Sequence, residues 1–183
     1  MIAAVLVMTV RVAVLGLAAA LCASMPVAAS ANDGDKAFFE QVKGRWQGPG
    51  EIVAGKYKGT KFVCTLDGST PGDKTGMTLD GACNVGLFAQ PMKASVALQG
   101  KNYKGQFMDG ALGDGLDITS GNIDGDRVVF SLNRKKLDGA MLARLADPNK
   151  MNVTISVRVG KQLVPVIGMS LNRLDTVKTS SVD

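Results

Sequence analysis

Apolar and polar residues alternate with a period of two along most of the chain after residue 44, and this alternation constrains the fold more than any other feature. The segment 153–159, Val-Thr-Ile-Ser-Val-Arg-Val, is apolar at every odd position and polar at every even one. Such a pattern is typical of a β-strand with one buried face and one face in water. The same reasoning predicts about nine strands, at 45–54, 57–67, 76–85, 92–98, 102–108, 115–120, 127–132, 153–159 and 162–174.

The links between these strands are short and rich in turn residues, as in Asp124-Gly125-Asp126 and Gly160-Lys161. Short links make successive strands pair in antiparallel fashion. A meander of about eight to ten strands with one apolar face hides that face by curling into a barrel or by folding into a sandwich. We therefore expect an all-β fold, with the meander closed into a barrel.

A short helix is predicted to precede the strands. Residues 33–43 place Phe38, Phe39 and Val42 on one helical face, and Gly44 ends the helical pattern.

A second short helix is predicted at residues 138–146, where Met141, Leu142 and Leu145 fall at helical spacing. We expect this helix to connect two hairpins, with its apolar side against the barrel. The basic residues 134–136 just before it leave open an alternative, in which the segment contacts a membrane surface.

The first 31 residues have the pattern of a signal peptide. Arg11 precedes an apolar run at 12–21, and small residues end in Ala29-Ser30-Ala31. This order of charge, apolar run and small residues predicts cleavage after Ala31 and export to the periplasm or the medium. The chain starts at Met1 or, with a more conventional charged opening, at Met8.

The remaining residues, 32–183, have the length of a single domain, and they predict no membrane-spanning segment. Two cysteines remain in this part, Cys64 and Cys83. An even number in an oxidising compartment favours one disulfide, with two buried free thiols as the alternative. If the two cysteines face each other across a hairpin, the turn falls in the glycine- and proline-containing stretch 71–76.

The sequence contains no recognisable catalytic or metal-binding constellation. It has no histidine, which removes Ser-His and Cys-His catalysis, imidazole ligation of haem and most catalytic zinc sites. The formal net charge of +5 is modest and scattered, and no basic helix or stacking aromatic cluster indicates nucleic-acid binding. We expect a non-enzymatic monomer without a cofactor.

Residues at both ends of the predicted barrel resemble the calycin superfamily, which includes the lipocalins. Gly44-Arg45-Trp46 is similar to the lipocalin G-x-W at the start of the first strand, and Arg173 lies in the last strand, in Ser-Leu-Asn-Arg-Leu. The resemblance implies that Arg173 packs over Trp46 and closes one end of a ligand-binding barrel. A cation–π contact and hydrogen bonds from the guanidinium to carbonyls are the physical basis of such a closure.

The alternating positions identify the side chains that point into the barrel. We expect these to line a cavity for a small hydrophobic or amphiphilic ligand, and the candidates are Trp46, Phe62, Leu79, Val96, Tyr103, Phe107, Ile118, Phe130 and Met169. A solidly packed interior is the alternative.

A second function remains open. Cys64-Thr65-Leu66 followed by Leu79 and Cys83 resembles bacterial periplasmic metalloprotease inhibitors, which are also small barrels with one disulfide. This resemblance implies a protein-binding inhibitor of a periplasmic or secreted hydrolase, or an envelope interaction module. Such a protein has a filled interior and a functional loop, for which 71–76 and 109–115 are the candidates.

Overall fold

The computed structural model describes residues 31–108 and 115–174. The predicted signal peptide up to residue 30 and most of the candidate loop 109–115 lie outside the described residues. One helix is followed by ten strands: α1 (Ala31–Val42), β1 (Gly44–Ile52), β2 (Lys61–Ser69), β3 (Gly76–Val85), β4 (Phe88–Gln99), β5 (Asn102–Met108), β6 (Leu116–Asp124), β7 (Arg127–Arg134), β8 (Leu137–Asp147), β9 (Lys150–Val159) and β10 (Gln162–Arg173).

The ten strands form a closed antiparallel barrel in which each strand pairs with its neighbours in sequence and β10 pairs with β1. The closing register places Trp46 opposite Arg173 and Ile52 opposite Ile167. The predicted all-β barrel is confirmed, because each of the ten described strands pairs with another strand on both of its sides.

The helix predicted at 138–146 is wrong, because this segment lies within β8. Its residues pair with β7 on one side and β9 on the other, and Ala143 and Leu145 point into the barrel while Leu142 is exposed. Alanine and leucine favour helix locally, but a helix here would leave the backbone groups of β7 and β9 without ladder partners. Tertiary hydrogen bonding therefore overrides local propensity at this point.

The other strand predictions hold with shifted ends. The predicted strand 92–98 extends in β4 from Phe88 to Gln99, and the predicted strand 57–67 begins only at Lys61. A loop occupies 53–60, where Gly55 and Gly59 have φ values of 87° and 89°. Such left-handed backbone is accessible to glycine and interrupts the strand.

The helix predicted before the first strand is confirmed, and its apolar face is buried. Phe38, Phe39 and Val42 are each at most 3% exposed. The turn into β1 is made by Gly44 with a φ of 109°, a conformation that a residue with a Cβ rarely adopts.

The predicted disulfide is present between Cys64 on β2 and Cys83 on β3. The two residues are directly opposite each other in the strand register, with a Cα–Cα distance of 3.9 Å. The turn of this hairpin occupies the predicted stretch between Ser69 and Gly76.

Because successive strands alternate in direction, the barrel has two distinct ends. We call the end beside α1, where β1 starts and β10 finishes, the closed end. The opposite end, which we call the mouth, carries the loop 53–60 and the turns at 86–87, 135–136 and 160–161.

Candidate functional site: the barrel interior and its mouth

The closed end is sealed by Trp46 and Arg173. The indole of Trp46 is fully buried and its Nε1 donates a hydrogen bond of 2.9 Å to the carbonyl of Val42. The guanidinium carbon of Arg173 lies 4.3 Å from the centroid of the indole ring. This geometry is a cation–π contact, and it is the arrangement that the calycin resemblance implied.

The same guanidinium holds the end of the helix in place. Arg173 donates hydrogen bonds from Nη2 to the carbonyl of Gln41, from Nη1 to that of Lys43, and from Nε to that of Pro148 at 3.1 Å. The carbonyls of the last helical turn have no partner within the helix, so a cation beside them satisfies them and complements the helix dipole. One side chain thus joins α1, the β8–β9 turn and β10.

Aromatic side chains of the barrel interior pack against α1 at the closed end. The ring of Phe39 lies 5.7 Å from that of Tyr103, which lies 5.9 Å from that of Phe130. The hydroxyl of Tyr103 donates a hydrogen bond of 2.6 Å to Asp35 on the helix. Burial of the phenol raises the pKa of Tyr103, and the hydrogen bond to the Asp35 carboxylate raises it further.

A small cavity lies above this seal in the middle of the barrel. It has a volume of about 90 Å³, and apolar side chains form nearly all of its wall, among them Trp46, Leu66, Val96 and Ile118. A cavity without polar groups gives a water molecule no hydrogen-bonding partners, which favours an apolar occupant.

A larger cavity of about 530 Å³ occupies the mouth half of the barrel. Its wall is mostly aliphatic and aromatic, and the polar side chains in it are Tyr57, Gln90, Arg134 and Ser156. Arg134, half-buried at the end of β7, is the one charged residue in this wall among the residues that the structure describes. An apolar cavity of this size with a few polar groups is typical of small-molecule sites.

Four residues line both cavities: Cys83, Met92, Phe107 and Met169. They therefore stand between the two spaces. The sulfur of Met169 lies 3.8 Å from that of Cys64, so one side of this constriction rests on the disulfide. Methionine is unbranched and adapts to irregular spaces, so the two methionines are able to move and join the cavities around a long occupant.

Most of the predicted lining residues do line a cavity. Trp46, Leu79, Val96 and Ile118 face the small one, Phe62 faces the large one, and Phe107 and Met169 face both.

Tyr103 and Phe130 are inward-facing as predicted but line neither cavity. They fill the closed end, where they contact each other and α1. The polar residues of the large cavity, Arg134 above all, were not among the predicted lining residues. The alternation identifies which face of a strand is inward, but it does not indicate where along the barrel the interior is open.

No cluster of three or more metal-ligating side chains occurs within residues 31–108 and 115–174. The carboxylates with shifted pKa values lie on the surface. A hydrogen bond from Thr70 lowers the pKa of Glu40, and a hydrogen bond from Arg144 lowers the pKa of Asp126. Among the described residues, no helix has both the length and the apolar character needed to cross a membrane.

Comparisons with known proteins support the class of fold. No protein family matches the sequence, and no curated protein matches it. The structure is similar to the crystal structure of Rv2717c from M. tuberculosis, with a TM-score of 0.56 and 13% sequence identity over 76% of this chain and 96% of that chain. The protein is thus a small, closed, ten-stranded antiparallel β-barrel. At 13% identity the likeness is one of fold alone.

Proposed function

We propose that this barrel is a non-enzymatic binding protein for one small hydrophobic or amphiphilic molecule. The observation that carries the proposal is the cavity of about 530 Å³, which is lined by apolar side chains and continues toward a second apolar cavity. Small-molecule sites in proteins span roughly 300–1,000 Å³ and combine an apolar wall with a few polar groups.

The two ends of the cavity system suit the two ends of an amphiphile. The apolar cavity near Trp46 offers no polar partner, so an apolar tail belongs there. Gln90, Arg134 and Ser156 are in the wall of the cavity nearer the mouth, where a polar group of the ligand would stay close to water.

A calycin-like architecture is part of this proposal. Its support is the contact of Arg173 with Trp46 at the closed end, together with the short helix before the first strand. Export to the periplasm or the medium is a further part. The pattern of residues 1–31 and the disulfide between Cys64 and Cys83 support it, because disulfides persist in oxidising compartments.

The alternative of a protein-binding inhibitor or interaction module is less well supported. That function needs no internal space, and a packed interior would have favoured it. The cavities in the barrel therefore shift the balance toward a small ligand.

The test compares two tryptophan substitutions of half-exposed valines. Val157→Trp places an indole in the large cavity, whereas Val129→Trp places one on the outer surface of β7. We expect native mass spectrometry to show one bound fatty acid or lysophospholipid per chain. Titration with the apolar dye 1-anilinonaphthalene-8-sulfonate should give a single site, which Val157→Trp weakens at least about tenfold, a loss of about 1.4 kcal/mol of binding free energy.

Val129→Trp is the matched control and should bind the dye like the original protein. Circular dichroism shows whether each variant is folded. The proposal fails if the unsubstituted protein binds neither lipid nor dye, or if the Val157→Trp variant is folded and binds both as well as the control does.

A further inference from the structure

The hairpin between β3 and β4 extends beyond its neighbours at the mouth. The pairing of β2 with β3 ends at Asn84, and the pairing of β5 with β4 ends at Lys93. Among the described residues, the part of β4 before Lys93 therefore pairs with β3 alone, and at residues 85–88, which we call the ribbon, the hairpin continues beyond both neighbouring strands. The ribbon is the end of this hairpin, where Val85 pairs with Phe88 and the turn 86–87 joins the two strands.

The ribbon is apolar and exposed. No charged residue occurs between Asp80 and Lys93. At its tip the side chain of Leu87 is fully exposed and that of Phe88 is 82% exposed. Two large apolar side chains exposed side by side to water gain favourable free energy when they are buried. This tip is therefore suited to insertion into an apolar environment outside the protein.

Basic residues surround the ribbon on the other loops and strand ends of the mouth. Seven exposed basic side chains lie there: Lys56, Lys58, Lys61, Lys135, Lys136, Arg158 and Lys161. The acids near this end among the described residues are Glu51, Asp117 and Asp138, so positive charge predominates. At the closed end, by contrast, exposed arginines are paired with acids, as Arg127 is with Asp124 and Arg144 with Asp126.

One of these lysines occupies a conformation that usually belongs to glycine. The tight hairpin turns at 86–87, 100–101, 125–126 and 160–161 each begin with a glycine at a φ between 59° and 63°. The β7–β8 turn begins instead with Lys135, at a φ of 53°. Left-handed backbone is unfavourable for lysine, so the fold alone does not explain this residue, whereas a need for positive charge at the mouth does.

We infer that the mouth docks onto an anionic phospholipid bilayer, with Leu87 and Phe88 inserted among the lipids and the basic side chains against their phosphates. Apolar side chains beside lysines and arginines are the combination that binds such an interface. The mouth also forms part of the wall of the large cavity, through Tyr57, Val85 and Gln90. Docking would therefore bring the entrance of this cavity to the lipid surface. The inference rests on the proposed function for its purpose, which is to load or release an amphiphile there.

The experiment measures co-sedimentation with vesicles of phosphatidylcholine alone or mixed equally with phosphatidylglycerol. The protein is recovered from the periplasm of a bacterial host, and its N-terminus is confirmed by intact mass, so that residues 1–31 do not contribute. We expect partitioning at 50 mM NaCl to be at least about tenfold higher with phosphatidylglycerol, and to fall steeply at 500 mM NaCl because the attraction is screened.

Two pairs of variants separate the apolar and the electrostatic contributions. Leu87→Ser with Phe88→Ser should lower partitioning about tenfold, whereas Val129→Ser with Leu142→Ser, on the outside of the barrel wall, should not. Replacement of Lys56, Lys58 and Lys161 by glutamine should lower it about a hundredfold. The same change at Lys36, Lys101 and Lys150, near the closed end, should lower it much less.

A fluorescent variant reports insertion directly. Phe88→Trp places an indole at the tip, and brominated phosphatidylglycerol should quench its emission. Trp46, buried at the far end of the barrel, should not be quenched in the unsubstituted protein.

Docking is refuted if the unsubstituted protein does not sediment with phosphatidylglycerol vesicles at 50 mM NaCl, or if the tip and control variants lose binding equally. It is also refuted if gel filtration shows a dimer that the Leu87→Ser, Phe88→Ser variant dissociates, since the ribbon is then a contact between copies. Binding of 1-anilinonaphthalene-8-sulfonate without vesicles is measured on the same variants. If the protein binds the dye but not the vesicles, only the docking inference is refuted. If it binds the vesicles but not the dye, only the proposed binding function of the cavity is refuted.

Discussion

Replacement of Arg173 by methionine tests how much the closed end contributes to stability. Methionine keeps an apolar contact with Trp46 but removes the guanidinium, which makes three hydrogen bonds to carbonyls and one cation–π contact. At about 1 kcal/mol for each hydrogen bond and about 1 kcal/mol for the contact with the ring, the free energy of unfolding should fall by roughly 3–4 kcal/mol. Arg173→Lys keeps the charge but not the fork of donors, and should lose about half as much.

Urea unfolding followed by tryptophan fluorescence is the assay, since Trp46 is the only tryptophan in the chain and lies beneath the substituted residue. Arg127→Met is the matched control. Arg127 is also a strand arginine, but its partner is the exposed Asp124, and exposed ion pairs contribute about 0–1 kcal/mol. If Arg173→Met costs no more than the control within about 0.5 kcal/mol, the guanidinium does not hold this end together and the reasoning is wrong.

Three further predictions concern the disulfide, the helix contact and the mouth. Cys64→Ala with Cys83→Ala should lower the free energy of unfolding by about 3 kcal/mol in urea, and a reducing agent should do the same to the unsubstituted protein, because the bridge closes a loop with a sequence separation of 19. Tyr103→Phe should cost about 1 kcal/mol between pH 7 and 9. Since the folded state raises the pKa of Tyr103 above its ordinary value of about 10, this stabilisation is present below pH 10 and declines as the pH rises further, so the unfolding curves of the two proteins should converge in alkali. Lys135→Gly should raise the free energy of unfolding by about 1 kcal/mol and should weaken binding to phosphatidylglycerol vesicles. A variant that is more stable and also binds the vesicles more tightly would contradict the role given to this turn.

The period-two pattern predicted most of the fold because it reports burial directly. In β9 the alternation matches the burial of Val153 and Ile155 inside the barrel, whereas Val159, at the mouth, is 60% exposed. The predicted disulfide agreed with the same parity: if Cys64 and Cys83 face each other, the turn between them falls at 71–76, and the structure does pair these two residues. Where the side chains alternate cleanly, local sequence and global fold agree.

The interior space is less accessible to sequence reasoning. Whether Tyr103 fills the barrel or lines a cavity depends on its height along the barrel axis, and that height depends on the register of strands distant in sequence. Gly121 illustrates the point, because a Cβ at this position would lie 2.6 Å from the ring of Phe130. The absence of that one carbon lets an aromatic ring fill the closed end, and nothing near Gly121 in the sequence indicates it.

The error at β8 and the pairing of Trp46 with Arg173 are connected by a parity argument. In an antiparallel meander, the first residues of the first strand and the last residues of the final strand lie at the same end only if the number of strands is even. Nine strands with a helix at 138–146 would have placed Arg173 at the mouth, opposite to Trp46. The observed contact therefore requires a tenth strand. The segment 138–146, which extends from the mouth to the closed end, is the one that supplies it, and the same parity brings Lys161 to the mouth beside the other basic residues.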